Sequence, residues 1–154
     1  MKIGQYFSLA EVERSDTAKR LRLNNKLPIQ YYENAQNMVD NLLDPLRTFY
    51  AKPILISSWY RSPELNTIIK GAVGSHHLTA NAVDIDQDPV GPNENAKVFD
   101  IIKNNFLFHT LIWEFGTDEN PDWVHVSFFK NESPKRILRA YNVNGKTIYN
   151  EYKR

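Results

Sequence analysis

Two short segments of this 154-residue chain alternate polar and apolar residues, and this alternation constrains the fold more than any other feature. Residues 82–86 have the sequence AVDID, and residues 123–128 have the sequence WVHVSF. Successive side chains of a β-strand point to opposite faces, so each segment has an aliphatic face and a polar face. Pairing the two strands in one sheet would bury both aliphatic faces and set Asp84 beside His125.

The polar residues around these segments form a compact set of candidate metal ligands. His77 comes seven residues before Asp84, in the loop that would enter the first strand. Two imidazoles and one carboxylate leave a fourth position open for water, as hydrolytic zinc sites require. Asp122, three residues before His125, adds a further acid. His76 competes with His77, but the spacing favours His77 and makes His76 a neighbour in the cleft.

Local patterns predict the other elements and an α+β fold, in which helices pack on a small antiparallel sheet that carries the site. Caps, helical spacing and turn residues predict the following: a short helix after the capping box at 8–11, a second capped by Ser15 or Asp16, a helix from Tyr31 to about Tyr50 interrupted by Pro45, a strand at 54–56, a helix from Ser62-Pro63, a helix at 95–105, a strand at 111–115, a short helix opened by Ser133-Pro134, and a hairpin at 141–152 turning at Asn144-Gly145.

Bulk properties limit the class of protein. A chain of 154 residues fits one domain, residues 1–154, and we expect a monomer. The net charge of +1 gives no electrostatic case for nucleic acid or acidic membranes, so the basic residues Lys135, Arg136 and Arg139 are interpreted as a solvated face. Cysteine is absent, which excludes disulfides and thiolate zinc ligands. No stretch is long enough to span a bilayer, and residues 1–6 do not resemble a signal peptide.

The combined motifs resemble the zinc D-alanyl-D-alanine carboxypeptidase family. They are Ser-x-His at 75–77, Ala-x-Asp at 82–84, Trp-x-His at 123–125 and the Arg-bearing segment SSWYRSPELN at 57–66. That family includes bacterial and phage peptidoglycan peptidases and shares its fold with the Hedgehog signalling domain. The resemblance covers roughly residues 5–140 and implies the same α+β fold.

Carried over residue by residue, the resemblance implies a zinc ion held by His77, Asp84 and His125. Asp122 stands where the family keeps its catalytic acid, which would take a proton from the attacking water and return it to the leaving amine. Arg61 matches the arginine that steadies the substrate and the developing negative charge on the carbonyl oxygen.

The resemblance also implies a substrate-binding set. Ser75 matches a serine that contacts substrate, as Arg61 does. Trp59 and His76 depart from the residues common in the family and would line a subsite. Glu114 lies within an otherwise apolar strand, so its carboxyl group either faces solvent or contributes to the site.

The resulting hypothesis is a zinc peptidase that hydrolyses peptide bonds in peptidoglycan stem peptides. It would be either an endolysin-like endopeptidase or a D,D- or L,D-carboxypeptidase. The absence of a recognisable signal peptide favours the endolysin-like form, released to the cell wall by a phage or prophage lysis system. The alternative from another class is a non-catalytic, zinc-stabilised module that binds the cell wall.

Overall fold

The computed structural model describes residues 1–153 of the chain. Its helices are α1 (Leu9–Glu13), α2 (Asp16–Leu21), α3 (Tyr32–Met38), α4 (Asp44–Tyr50), α5 (Pro63–Ile68) and α6 (Glu94–Asn105), with 3₁₀ turns at Ile29–Tyr31 and His76–Thr79 and a π-helical segment at Val39–Leu43. Its strands are β1 (Ile56–Ser58), β2 (Ala82–Ile85), β3 (Thr110–Glu114), β4 (Trp123–Ser127), β5 (Arg136–Val143) and β6 (Lys146–Glu151).

The strands form a six-stranded sheet in the order β1-β2-β4-β3-β5-β6. All neighbouring pairs are antiparallel except β3 and β5, which run parallel. The helices pack on the apolar face of this sheet, and the predicted α+β class is confirmed. No helix among the described residues has the length and hydrophobicity that crossing a bilayer would need.

The central pairing of β2 with β4 follows the predicted register. Asp84 lies directly opposite His125, and Val83 lies opposite Val126. The aliphatic side chains of both strands are buried in the main core together with those of α6. A shift of one residue would turn the aliphatic side chains toward the cleft, so burial of one face fixes the register and with it the position of the two polar residues.

The long helix predicted around Pro45 forms, with a local change of geometry. α3 and α4 are joined by the π-helical segment Val39–Leu43, which directly precedes Asp44 and Pro45. Proline has no N–H to donate and its ring crowds the carbonyl four residues earlier, so the helix must depart from regular geometry here. The buried side chains of Met38, Leu42 and Leu46 remain in the core.

The segment after β4 was predicted wrongly in one respect. Ser133 and Pro134 do not open a helix; they lead into strand β5, which begins at Arg136. Local sequence favoured a capped helix, but pairing with β3 supplies the backbone of β5 with hydrogen-bond partners that are remote in the sequence. The predicted hairpin therefore begins five residues earlier than expected, while its turn at Asn144-Gly145 is confirmed, with positive φ at both residues.

Candidate active site

Three side chains from different elements converge on one point above the sheet. His77 Nε2 lies 3.3 Å from Asp84 Oδ1, and His125 Nδ1 lies 3.0 Å from the same oxygen. The three candidate ligand atoms all lie within 4.8 Å of one another. Among residues 1–153 this is the one group of three such side chains close enough to hold a metal ion.

His77 is held by the backbone carbonyl of Trp59 and by the side chain of Ser75. Its Nδ1 lies 2.6 Å from the carbonyl oxygen of Trp59, which can only accept, so Nδ1 carries the proton. The His77 N–H donates to Ser75 Oγ at the start of the 3₁₀ turn. The unprotonated Nε2 is buried and has no hydrogen-bond partner. A buried acceptor without a donor is costly, and a metal ion would satisfy it.

The electrostatics of the cluster favour the protonation states that metal ligands need. Burial lowers the pKa of His77, although Asp84 opposes this effect, so the imidazole is held neutral. Burial opposes ionisation of Asp84, but the imidazoles of His77 and His125 keep the pKa of that carboxyl well below its usual range. Asp84 Oδ2 also accepts a hydrogen bond of 3.0 Å from Arg61. The carboxylate is therefore ionised and fixed in orientation.

The donor set fits a zinc ion. Tetrahedral zinc with bond lengths near 2.0–2.1 Å to nitrogen and oxygen requires ligand atoms about 3.3 Å apart. The two separations that involve Asp84 Oδ1 are 3.3 and 3.0 Å. Two imidazole nitrogens and one carboxylate oxygen would leave a fourth position free for water or substrate. The separations of 3.3 and 3.0 Å match the tetrahedral value, and all three ligand atoms lie within 4.8 Å of one another.

The ligands lie at one end of an open cavity of about 470 Å³. The residues that line the cavity around the ligands are Arg61, Lys70, Gly71, Ala72, Gly74, Ser75, His76, Thr110, Ile112, Glu114, Phe115, Trp123, Arg136, Leu138, Thr147 and Tyr149. The cavity thus combines the predicted ligands with residues from β3 and from the C-terminal hairpin.

Glu114 is the carboxyl group that the structure brings into this cavity beside the ligands. It ends β3 opposite Trp123, which is two residues before His125 on the same face of the sheet. This diagonal placement corresponds to about 7 Å between the backbones of Glu114 and His125, enough for a water molecule between their side chains. The side chain is 6% exposed, and burial raises its pKa to about 7, with His125 opposing that shift. The sequence left open whether the carboxyl group of Glu114 faces solvent or contributes to the site. In the structure it lines the cavity.

Asp122 and Trp59 are placed differently from the expectation. Asp122 is exposed, and it is not among the residues that line the cavity. It lies just outside the sheet, one residue before β4 begins at Trp123. The ring of Trp59 is fully buried, packs against Phe7 and donates from Nε1 to the carbonyl of Ala80. Its carbonyl oxygen supports His77, but its ring does not form a subsite wall.

The other predicted residues do reach the cavity. Ser75 and His76 line it, and the ring of His76 packs edge-on against His109 and Phe129. Arg61 lines it as well, bound to Asp84. The residues of β5 and β6 in the wall were missed, because no sequence pattern indicated that β5 pairs with β3.

The fold and the cavity together define the class of protein. The chain has an α+β fold that presents two histidines and an aspartate at an open cavity, with a buried carboxyl group nearby. This combination is typical of a metal-dependent hydrolase. The sequence model described as Peptidase M15 matches residues 5–127, and the chain belongs to the peptidase M15 family. M15 peptidases are metal-dependent, so the family supports a metallopeptidase that acts on peptidoglycan-like substrates. No curated protein is detectably similar to the chain.

Proposed function

We propose that this protein is a zinc peptidase that hydrolyses a peptide bond in peptidoglycan stem peptides. The observation that carries the proposal is the unpartnered, buried Nε2 of His77, which faces Asp84 and His125 at the end of an open cavity. A structural histidine would be expected to use both ring nitrogens in hydrogen bonds. Here one nitrogen is fixed by a carbonyl oxygen and the other is left for a ligand.

His77, Asp84 and His125 would hold a zinc ion, which would supply Lewis-acid chemistry toward a carbonyl group and a water molecule near neutral pH. Arg61 uses Nη2 on Asp84 and Nε on Ser58, and it lines the cavity with further N–H donors to spare. We assign to Arg61 the binding of the carbonyl oxygen as it becomes negative, the role that the family resemblance implies.

We propose Glu114, in place of Asp122, as the group that moves the proton. It lies in the cavity on the face that carries the ligands, whereas Asp122 is exposed. Glu114 would accept a proton from the attacking water and donate it to the leaving amine. The buried site and the raised pKa suit that exchange, because a proton carrier works best when its pKa lies near the working pH.

The test is mass spectrometry of purified peptidoglycan fragments after incubation with the zinc-loaded protein, with a chelator-treated sample as control. We expect new peptide termini that disappear with chelator, and the termini identify the bond that is cut. They thereby distinguish the endopeptidase from the carboxypeptidase. An unchanged fragment pattern with zinc bound would instead favour the non-catalytic wall-binding module.

The same assay tests the proton carrier. Glu114→Gln should lower the rate by at least about 100-fold while the zinc content stays the same, because the amide cannot exchange a proton. Glu119→Gln, on the exposed loop after β3, is the matched control. Loss of activity in Asp122→Asn with activity retained in Glu114→Gln would return the role to Asp122.

A further inference from the structure

The C-terminal hairpin forms a wall of the cavity that the family match does not include. The match ends at residue 127, whereas β5 begins at Arg136. β5 lies beside β3 in parallel, and β6 lies beside β5, so the hairpin extends the sheet away from the ligands. Four cavity residues come from it, namely Arg136, Leu138, Thr147 and Tyr149. Part of the cavity is therefore formed by a segment outside the matched residues.

The floor between the ligands and the hairpin is apolar. Ile112 lies opposite His125 on one side and opposite Leu138 on the other. Together with Ala140 these residues form an apolar cluster separate from the main core. An apolar floor offers no hydrogen bond to a substrate backbone, so any polar group of the substrate at this end must be recognised at the rim.

Charge is distributed unevenly along the cavity. The two carboxyl groups that line it, Asp84 and Glu114, lie on β2 and β3, outside the hairpin. At the hairpin end, Arg136 is exposed, and its guanidinium has no ion pair with any residue of 1–153. Its neighbour Arg139, by contrast, binds Asp118 outside the cavity. An arginine that lines a cavity without an acidic partner is suited to a carboxylate of the ligand.

From this distribution we propose that Arg136 binds a carboxylate of the substrate peptide and makes the hairpin a specificity element. The inference rests on the proposed peptidase function and deepens it. Arg136 lies two strands from β4 and level with Ser127, so its backbone is about 12 Å from that of His125, the length of three to four residues of an extended peptide. The length of the arginine side chain shortens this span, so the carboxylate belongs to a substrate residue one or two positions from the bond that is cut.

The experiment measures binding rather than turnover. A synthetic stem pentapeptide that ends in two D-alanine residues is titrated into the zinc-loaded Glu114→Gln protein, which leaves the peptide intact. The peptide is also prepared in versions in which one carboxylate at a time is converted to the amide. We expect one of these amides to bind about fivefold more weakly than the parent, as for loss of a partly exposed ion pair.

Adding Arg136→Gln should abolish the difference between the parent peptide and that one amide, and leave the effects of the other amides unchanged. Arg136→Lys should keep part of the difference, since it retains the charge without the two-pronged geometry. Lys146→Gln is the matched control, because it removes a charge from the same hairpin outside the cavity lining.

Three results would overturn the inference: equal binding of the parent and all its amides, no binding of any version, or a preference that survives Arg136→Gln. A preference abolished by Lys70→Gln instead would assign the carboxylate to the loop after α5 and also contradict it. Cleavage of peptidoglycan by the wild type would still support the proposed function in each case. Failure of the Arg136 inference is therefore distinguishable from failure of the proposed function.

Discussion

At the scale of single residues, the two oxygens of Asp84 have separate partners. Oδ1 faces His77 and His125, whereas Oδ2 accepts from Arg61, which in turn contacts Ser58 through Nε. The carboxylate thus has a fixed orientation supported by its neighbours. Arg61 acts through Asp84 as a positioning residue, in addition to the substrate role proposed for it.

Arg61→Ala should therefore weaken zinc binding. The substitution leaves Asp84 Oδ2 without its donor, and loss of such supporting contacts typically costs about 10- to 100-fold in metal affinity. Competition with a chromophoric chelator measures the zinc dissociation constant directly. The dissociation constant of Arg61→Lys should lie between those of Arg61→Ala and the wild type. An unchanged zinc affinity in Arg61→Ala would contradict the positioning role.

Glu114 should make the metal-free protein less stable as the pH rises. Its folded pKa of about 7 lies above the ordinary value of 4.5, so between these values the folded state retains a proton that the unfolded state loses. The folded state binds more protons there, and the free energy of unfolding must fall with rising pH, by about 3 kcal/mol in total.

Denaturant titrations of wild type and Glu114→Gln, both with chelator, test this pH dependence. His77 and Asp84 also titrate, but they are common to both proteins, so the difference between the two curves isolates Glu114. We expect that difference to change between pH 4.5 and 7 and to be constant above pH 8. Parallel curves over the whole range would show that the carboxyl group is not held protonated by burial.

At the scale of elements, the connection from β3 to β4 sets the distance between Glu114 and His125. Gly116 lies in this loop with a φ of +69°, and a Cβ there would lie 2.3 Å from the carbonyl oxygen of Asn120. Glycine is needed both for the backbone angle and for the close approach. Gly145 in the hairpin turn shares the positive φ, at +79°, but a Cβ there would meet no atom within 4 Å.

Alanine substitutions at these two glycines distinguish the energetic cost of backbone strain from the cost of steric overlap. Gly145→Ala should cost about 1 kcal/mol in unfolding free energy, the cost of a left-handed conformation for a residue with a Cβ. Gly116→Ala should cost about 3 kcal/mol or more, because the backbone of Asn120 must also move. It should lower peptidase activity as well, through displacement of Glu114. Thermal or denaturant unfolding gives both values, and equal costs would contradict the steric argument.

At the scale of the whole molecule, the site joins parts of the chain that lie far apart in sequence. His77 follows α5, Asp84 belongs to β2 and His125 to β4. A zinc ion bound to all three would link the sheet to the 3₁₀ turn in the folded state alone. Binding to the folded state alone raises stability by mass action, by about 4 kcal/mol when free zinc is 1,000 times its dissociation constant.

Removal of the metal should therefore lower the Tm of the wild type and leave that of His125→Ala unaffected. The variant should also fail to retain zinc after dialysis, because two side chains alone bind the ion weakly. Calorimetry with and without chelator, together with metal analysis, provides the measurement. Full zinc occupancy in His125→Ala would contradict its role as a ligand.

Much of the fold could be predicted because the relevant signals are local. Period-two alternation predicted β2 and β4 and the pairing of Asp84 with His125, which follows once the aliphatic face of each strand must be buried. Capping residues marked the starts of α1, α2 and α5, and Asn144-Gly145 marked the hairpin turn. These residues act on neighbours a few positions away, so the sequence alone identifies them.

The sequence by itself thus determined the candidate zinc ligands, the α+β class and most helix starts. Only the tertiary structure decided which carboxyl group enters the cavity, since Glu114 and Asp122 are both acids near strand ends, yet Glu114 lines the cavity whereas Asp122, just outside β4, is exposed. It likewise decided that Arg136 reaches the cavity, because β5 forms by pairing with β3, whose residues lie more than twenty positions earlier. The sequence of β5, RILRAYNV, lacks the clear alternation that marked β2 and β4, so its pairing with β3 depends on the packing of the whole chain.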